Sequence, residues 1–338
     1  HGKVFYQKSF GQRDMGRSLP MEDDTVFRIY SMSKAITTTA AMMMYEEGEF
    51  KLQDPVCTYI PSFKKLNVAE GDTVRAIRKE MLVIDLIRHT AGLGYDLPEG
   101  NHGFTWVEDD IFDSDQSLEA FAEKISKLPL HEDPRSRWRY GSAIDILGRL
   151  VEIWSGDYLD DFLSERIFGP LYMVDTGFYV KRANRSRFAV NYSKDKHGAF
   201  AVEDDSRKSD YLKKPQLFSG GGGLCSTADD YMKFLVMLES GGELFGRRLL
   251  KKETVDLMRQ NHLPEDLMPI RFGEEMRWGV GHGLGFNVRV SSNDQWDPPG
   301  RVHEYGWGGA ASTHYWISPD DGLCVITMEQ IMPFSFKT

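Results

Sequence analysis

Ser31 and Lys34 form a pair whose residue types and spacing suit nucleophilic catalysis. They stand three residues apart near the start of Phe27–Gly48, a mostly apolar stretch without proline. The stretch predicts a helix that ends at Gly48, and residues i and i+3 lie on one helix face. A serine hydroxyl becomes a nucleophile when a neighbouring base takes its proton, and a desolvated lysine can be that base. The alternative is a capping serine beside a surface lysine.

The same Ser-x-x-Lys spacing occurs at two other places in the chain. Ser62 and Lys65 follow a proline in a lysine-rich turn, and Ser193 and Lys196 lie in a polar stretch. Neither pair opens a long apolar segment, so we interpret both as solvated loops. The sequence context therefore favours Ser31 as the nucleophile.

Composition describes an ordinary globular chain. Its 338 residues are 41% hydrophobic and 27% charged, with a formal net charge of −10. The negative charge argues against a nucleic-acid or anionic-membrane surface. No apolar run approaches the roughly 20 residues of a transmembrane helix, and no signal peptide is visible. We expect a soluble protein, with a cytoplasmic location favoured over a periplasmic or secreted one, and we leave a homo-oligomer open.

Metal and cofactor sites are not expected. The three cysteines, Cys57, Cys225 and Cys324, are far apart, and the nine histidines form no close pair. Neither set has zinc-ligand spacing. We therefore expect no metal and no cofactor.

Hydrophobic periodicity predicts strands at both ends of the chain and helices between them. We expect a strand at Lys3–Gln7 and a hairpin in 315–328 around the turn Pro319–Gly322. Helices are predicted at 81–90, 117–127, 143–154, 159–168, 227–238 and 252–261. The pattern indicates an α+β fold. Residues 1–56 and 270–338 would form an α/β domain, and 57–269 a mainly helical one.

Two later motifs supply further chemistry. Tyr140 and Ser142 stand two residues apart just before a predicted helix. Gly306–Ala310, which contains Trp307, Gly308 and Gly309, lies at the start of a strand near the C-terminus, where glycines allow a ligand to approach the backbone.

In this order, the motifs resemble those of the serine β-lactamase and penicillin-binding-protein superfamily. The resemblance is closest to class-C-like β-lactamases and family VIII carboxylesterases, and it covers nearly the whole chain. The stretches Leu52–Val56, Leu86–Leu93 and Gly220–Asp230 match as well. It implies a β-lactamase-like antiparallel sheet flanked by helices.

The resemblance also implies a role for each residue. Ser31 would be the acylated nucleophile, and Lys34 would take or orient its proton. Tyr140 would act as general base and acid, and which of Lys34 and Tyr140 is the base stays open. Ser142 stands where many relatives carry Asn and would hydrogen-bond near Lys34. The backbone N–H groups of Ser31 and Ala310 would form the oxyanion hole.

One motif departs from the penicillin-recognising pattern. Trp307-Gly308-Gly309 stands where those members carry Lys-Thr-Gly. The missing ammonium would remove a charge-assisted hydrogen bond of roughly 1.5–3 kcal/mol to a substrate carboxylate. We therefore expect hydrolysis of short-chain carboxylic esters, small molecules, with weak or no β-lactam turnover.

Several residues keep two interpretations. Tyr95, Trp106 and Trp138 either line the acyl pocket or pack in the core or a loop, and Trp307 is either a wall of the site or core. We interpret the neighbours of the Trp307 strand as rim or structural residues, because no Gly-x-Ser-x-Gly elbow exists. These neighbours are His303, Glu304 and His314.

Other functions stay open as well. A peptidase or amidase acting on D-amino-acid peptides, and a transacylase, would use the same motifs. A non-catalytic sensor or scaffold is the alternative from another class. Relatives place more helix and strand beyond both ends of this sequence, so we expect truncation or a partner that fills the gap.

Overall fold

The computed structural model describes residues 2–99, 111–293, 295–297 and 299–334. Within this part of the chain, the α-helices are α1 Ser33–Glu47, α2 Val83–Ile87, α3 Leu118–Ile125, α4 Ala143–Ser155, α5 Leu159–Leu163, α6 Ala228–Glu239 and α7 Lys252–Met258. A π-helical turn, Ser164–Phe168, continues α5. Short 3-10 turns lie at Tyr30–Met32, Val56–Thr58, Pro61–Lys65, Arg182–Arg187, Asp210–Leu212 and Glu265–Leu267.

The strands are short and distributed along the chain. They are β1 Gln12–Asp14, β2 Leu19–Pro20, β3 Phe27–Arg28, β4 Asn67–Glu70, β5 Thr73–Ala76, β6 Asn191–Lys194, β7 Phe200–Asp204, β8 Cys225–Ser226, β9 Glu243–Leu244, β10 Arg247–Arg248, β11 Ile270–Phe272, β12 Glu275–Arg277, β13 Val280–His282, β14 Asn287–Arg289, β15 Tyr305–Gly308, β16 His314–Ser318, β17 Leu323–Thr327 and β18 Ile331–Met332.

The largest sheet is antiparallel and has five strands in the order β13-β14-β15-β16-β17. In the pairing of β15 with β16, Trp307 lies opposite Tyr315, and both side chains are buried. Because side chains alternate along a strand, these two belong to the face that packs on the helices. Helix α6 covers β17, and the turn that carries Ser31 packs against β15.

Helix α1 is the centre of the hydrophobic core. Every residue from Ser33 to Met44 is buried, and α1 packs against α4. A helix that is buried on all sides needs no polar face, which explains the uniform run of small and apolar residues. It ends at Gly48, whose φ of 85° satisfies the left-handed stop expected there.

The fold prediction is confirmed as α+β with a β-lactamase-like arrangement. Ser117 caps α3 and Thr227 caps α6, since each side chain accepts a hydrogen bond from a backbone N–H three residues on. The hairpin around Pro319–Gly322 forms as β16 and β17. Within the described residues, no helix is long and apolar enough to cross a membrane.

Two local predictions are wrong. Lys3–Gln7 is not a strand: the backbone is irregular up to Phe10, and the first strand is β1. Phe27 also does not begin a helix. Phe27 and Arg28 pair with Ser226 and Cys225 as β3 and β8, so the α-helix begins only at Ser33. The pairing partner lies nearly 200 residues away in the sequence, and local periodicity does not reveal it.

Candidate active site

Ser31 lies in the 3-10 turn that joins β3 to α1. The preceding residue, Tyr30, has φ 41°, a left-handed conformation that costs energy for a bulky side chain. The Tyr30 hydroxyl accepts a hydrogen bond from Asn191, and burial raises its pKa to about 12. The tight turn sets Ser31 ahead of the first turn of α1, on the side of Lys34.

Lys34 is a buried cation with three hydrogen-bond acceptors. Its Nζ donates to Ser31 Oγ at 3.2 Å, to the Tyr95 hydroxyl at 2.8 Å and to the Gly221 carbonyl at 2.6 Å. An ammonium group has three N–H donors, so each donor has one acceptor. Only 1% of Lys34 is exposed, whereas Lys65 and Lys196 of the other two motifs are exposed. Burial thus separates Ser31–Lys34 from its sequence look-alikes.

Tyr140 reaches this pair from the segment that precedes α4. The backbone of this segment packs on residues 89–94, since Arg139 N–H donates to the His89 carbonyl. Gly141 permits the contact, because a Cβ there would lie 2.6 Å from the Gly94 backbone. The packing of two segments far apart in sequence therefore positions Tyr140.

The Tyr140 ring stands beside the ammonium group. Lys34 Nζ lies 4.7 Å from the ring centroid, and the Trp307 indole N–H donates to the Tyr140 hydroxyl at 3.4 Å. Tyr95 packs edge-on against Tyr140 at 5.6 Å between centroids. Burial raises the pKa of Tyr95 well above its ordinary value, and the neighbouring Tyr140 and Asp145 add to the rise. Tyr95 is accordingly a neutral hydrogen-bonding phenol.

Aromatic rings form the wall behind Tyr140. Trp138 stacks on Tyr140 with the ring planes 15° apart, and Phe272 lies 5.0 Å from it. His89 and His282 complete the wall at 4.9 Å from Tyr140 and 5.7 Å from Trp307. Burial lowers the pKa of both histidines, that of His282 to about 4, so their rings are neutral at pH 7.

The turn after β15 closes the other side of the site. A Cβ on Gly309 would lie 2.5 Å from the Ile29 carbonyl, so only glycine allows this close approach to the Ser31 turn. In the described part of the chain, the backbone N–H groups of Ser31 and Ala310 donate to no protein group. Two free N–H donors at adjoining turns are what an oxyanion hole requires.

The remaining site candidates make contacts with groups other than Lys34. Ser142 is buried and donates its hydroxyl to the Gly94 carbonyl at 3.2 Å, rather than to a group on Lys34. Trp138 is 4% exposed and packs behind Tyr140, which matches the core interpretation. Gly308 is the last residue of β15 and pairs with His314 of β16. Trp106 lies outside the described residues.

The histidines near the Trp307 strand form no catalytic triad with Ser31. The side chain of His303 is 69% exposed and lies beside Asp320, and Glu304 accepts from the Arg301 backbone. Burial and the nearby Arg277 lower the pKa of His314 to about 4. These contacts agree with the interpretation of the three residues as rim or structural.

Two contributors to the site were missed by sequence reasoning. Gly221 supplies the carbonyl nearest to Lys34, and Asp145 on α4 accepts from Gly221 N–H at 3.0 Å. The run of four glycines at Gly220–Gly223 was visible in the sequence as a match to the family, without a role. Asp145 follows Tyr140 by five residues in an ordinary helical pattern, and nothing local distinguishes it.

Similarity to known proteins defines the family of this chain. The chain matches the family described as Beta-lactamase over residues 1–337. Protein Rv1367c of Mycobacterium tuberculosis is 33% identical over 350 residues, which cover 98% of this chain and 84% of the relative. Esterase EstB of Burkholderia gladioli is 28% identical over 353 residues, 97% of this chain and 83% of the esterase.

A solved structure gives the same assignment. The structure described as EstCE1, a hydrolase with promiscuous acyltransferase activity, superposes with a TM-score of 0.79. It is 26% identical, and the alignment covers 98% of this chain and 86% of that one. The chain therefore belongs to the Beta-lactamase family, and its relatives group it with the esterase-type serine hydrolases of that family.

Proposed function

We propose that this protein cleaves short-chain carboxylic esters through an acyl-enzyme on Ser31. The observation that carries the proposal is the hydrogen bond from the buried Lys34 ammonium to the Ser31 hydroxyl, with Tyr140 beside the same ammonium. The named esterases among the relatives support an ester substrate. The short acyl chain rests on the resemblance to family VIII carboxylesterases.

Acylation begins with Ser31 Oγ attacking the ester carbonyl carbon. The serine proton passes to the base formed by Lys34 and Tyr140, and the carbonyl electron pair moves to its oxygen. The free N–H groups of Ser31 and Ala310 stabilise that oxyanion, and removing one such donor typically costs about 10²–10³ in rate. The intermediate then collapses, and the alcohol leaves with the transferred proton.

Deacylation repeats the same steps with water in place of the serine. Water attacks the acyl carbon after giving a proton to the base, and Ser31 regains a proton when the acid departs. Tyr140 is suited to both proton transfers because it lies between Lys34 and the Trp307 indole N–H. Neutral histidines and aromatic rings behind it keep water from that side.

Trp307 supports esters over β-lactams as substrates. Its indole is 5% exposed and its N–H points to Tyr140, so the strand supplies no ammonium for a substrate carboxylate. A neutral ester needs no such cation. We expect a panel of p-nitrophenyl esters to be hydrolysed fastest at the short acyl chains, and a chromogenic cephalosporin to be turned over weakly or not at all.

The decisive variant is Ser31→Ala. It removes the nucleophile, so hydrolysis of p-nitrophenyl butyrate is expected to fall to background while the circular dichroism spectrum stays unchanged. Ser62→Ala, in the exposed look-alike motif, is the matched control and should retain full activity. Turnover by Ser31→Ala equal to that of the parent would contradict the proposal.

Covalent labelling separates an enzyme from a sensor or scaffold. A fluorophosphonate should add to Ser31, and peptide mass spectrometry should locate the adduct there. No adduct in a folded protein would support a non-catalytic role. Hydrolysis of D-alanyl peptides with no ester turnover would favour the peptidase alternative.

Acyl transfer is the second candidate. The solved structure described as a hydrolase with promiscuous acyltransferase activity favours it, because transfer and hydrolysis share one acyl-enzyme. Adding a primary alcohol to the butyrate assay should then produce the alkyl butyrate alongside the free acid. Gas chromatography of the products measures the partition between the two acceptors.

A further inference from the structure

Asp145 is a buried carboxylate for which the acyl-enzyme steps leave no role. Only 1% of the residue is exposed, and it lies in the first turn of α4, five residues after Tyr140. One carboxylate oxygen, Oδ1, accepts from the Ser219 hydroxyl at 2.6 Å and from Gly221 N–H at 3.0 Å. A buried charge persists in a protein only where it is paired and hydrogen-bonded, so its partners indicate its purpose.

The Gly221 residue connects Asp145 to Lys34. Its N–H donates to Asp145, and its carbonyl accepts from Lys34 Nζ at 2.6 Å. A Cβ at Gly221 would lie within 3.0 Å of the Asp145 carboxyl carbon, so the backbone is pressed against that carboxylate. Because a carbonyl oxygen accepts but never donates, one N–H group of Lys34 is directed at Gly221.

Asp145 is the acidic group that acts electrostatically on Lys34. Burial raises the pKa of Asp145 above its ordinary value, and Lys34 and the two hydrogen bonds to Oδ1 offset part of that rise. The other titratable groups that face Lys34 are His89 and Tyr95 from the segment after α2, and Tyr140 from the segment before α4. Burial keeps His89 and Tyr95 neutral. Arg277 on β12 is a charged group that acts on Tyr140.

We propose that Asp145 is a positioning residue that keeps Lys34 in place as an ammonium ion, so that Tyr140 takes the serine proton. The negative charge of Asp145 and the Gly221 peptide act together on Lys34. The inference rests on the proposed function and deepens it, since it decides which of Lys34 and Tyr140 is the base.

The proton then follows one route. Ser31 Oγ bonds to the acyl carbon as its proton moves to the Tyr140 phenolate, which the adjacent ammonium stabilises. When the intermediate collapses, the bond to the alcohol oxygen breaks and the same proton passes from Tyr140 to that oxygen. Lys34 keeps all three of its protons throughout and orients Ser31 and Tyr95.

The test is the pH dependence of kcat in Asp145→Asn. The variant is expected to lose about 10²-fold in kcat at pH 8 for p-nitrophenyl butyrate with KM nearly unchanged, the lower end of what general acid–base catalysis contributes. Removing a negative charge from a site favours loss of protons from the groups that remain there, so both limbs of the pH profile should move to lower pH. Asp145→Glu should restore part of the activity.

Two further variants separate charge from folding. Ser219→Ala removes one hydrogen bond to Asp145 but keeps the charge, so kcat should fall less and neither limb should move. Asp85→Asn removes another fully buried carboxylate, one that pairs with Arg88 and Arg135 rather than Lys34. It should lose stability without any change in the pH limbs.

The outcomes are distinguishable from a failure of the proposed function. If the parent hydrolyses no ester and Ser31 takes no fluorophosphonate, the proposed function fails. If the parent is active and Asp145→Asn matches it or exceeds it near pH 7, Asp145 does not position Lys34 and only this inference is overturned. If kcat falls in Asp145→Asn but neither limb of its pH profile moves, Asp145 has only a structural role.

Discussion

Individual side chains decide the chemistry through their hydrogen-bond capacity. Lys34 has three donors, and its three acceptors are Ser31, Tyr95 and Gly221. Without these neighbours, the Ser31 hydroxyl would be a weak nucleophile. It becomes a candidate nucleophile because a buried cation and a phenol share its surroundings.

At this scale, Trp307→Phe tests the indole N–H. The substitution keeps the aromatic packing against Tyr140 but removes the donor at 3.4 Å. A net contribution of about 0.5–1.5 kcal/mol for one hydrogen bond predicts a fall in kcat of about 2- to 10-fold. Steady-state kinetics with p-nitrophenyl acetate measures it.

Trp278 supplies the control for that variant. It is 40% exposed on the same chain, so Trp278→Phe should leave kcat unchanged. Equal kcat values for the parent and both variants would mean that the indole contributes only to packing.

Elements determine whether those side chains meet. Helix α1 carries Lys34, α4 carries Asp145, and the glycine segment Gly220–Gly223 runs between them. Thr37 on α1 also donates to the Gly220 carbonyl at 2.8 Å, which ties the segment to the helix. Glycine is required where the backbone enters so narrow a space.

Gly221→Ala tests this arrangement. The added methyl group would overlap the Asp145 carboxylate, so we expect the peptide to shift, Lys34 to lose its acceptor and kcat to fall about 10²-fold or more. Overpacking of this kind also costs about 1–3 kcal/mol of unfolding free energy. Kinetics and urea denaturation measure the two effects.

The neighbouring glycine provides a matched control. A Cβ on Gly222 would have its nearest neighbour at 3.9 Å, an ordinary contact. Gly222→Ala should therefore retain both activity and stability. If the two variants behave alike, the tight packing at Gly221 is not what positions Lys34.

Across the whole molecule, buried histidines couple folding to pH. Burial lowers the pKa of His282 and of His314 to about 4, against an ordinary value near 6.5. Between these values the unfolded chain binds more protons, so stability falls as pH decreases from 6.5 to 4. Each histidine contributes at most about 3 kcal/mol to that loss.

Urea denaturation at pH 7, 5.5 and 4.5 tests the prediction. The free energy of unfolding should decrease along the series, and His282→Asn should show a shallower decrease. His303→Gln, at a mostly exposed side chain, should follow the parent curve. A parent stability that is flat from pH 7 to 4.5 would refute the role of the buried histidines.

The division into two domains at residues 56 and 270 remains a prediction.

The sequence by itself determined the family and the α+β class, and it singled out Ser31 and Lys34 as the candidate nucleophile pair. These followed from short motifs and from helix signals such as Ser117, Thr227 and Gly48, which act within a few residues. Gly306–Ala310 likewise predicted a strand near the C-terminus, and β15 forms there.

Only the tertiary structure decided how the pair is held. Phe27 pairs with Ser226, Arg139 with His89, and Asp145 with Gly221, each across a long sequence separation. Such contacts depend on how the helices and strands pack, and the local hydrophobic pattern of the sequence does not predict them. For that reason we expected Ser142 to hydrogen-bond near Lys34. In the folded chain, the Ser142 hydroxyl donates to the Gly94 carbonyl, and Lys34 donates to the Gly221 carbonyl.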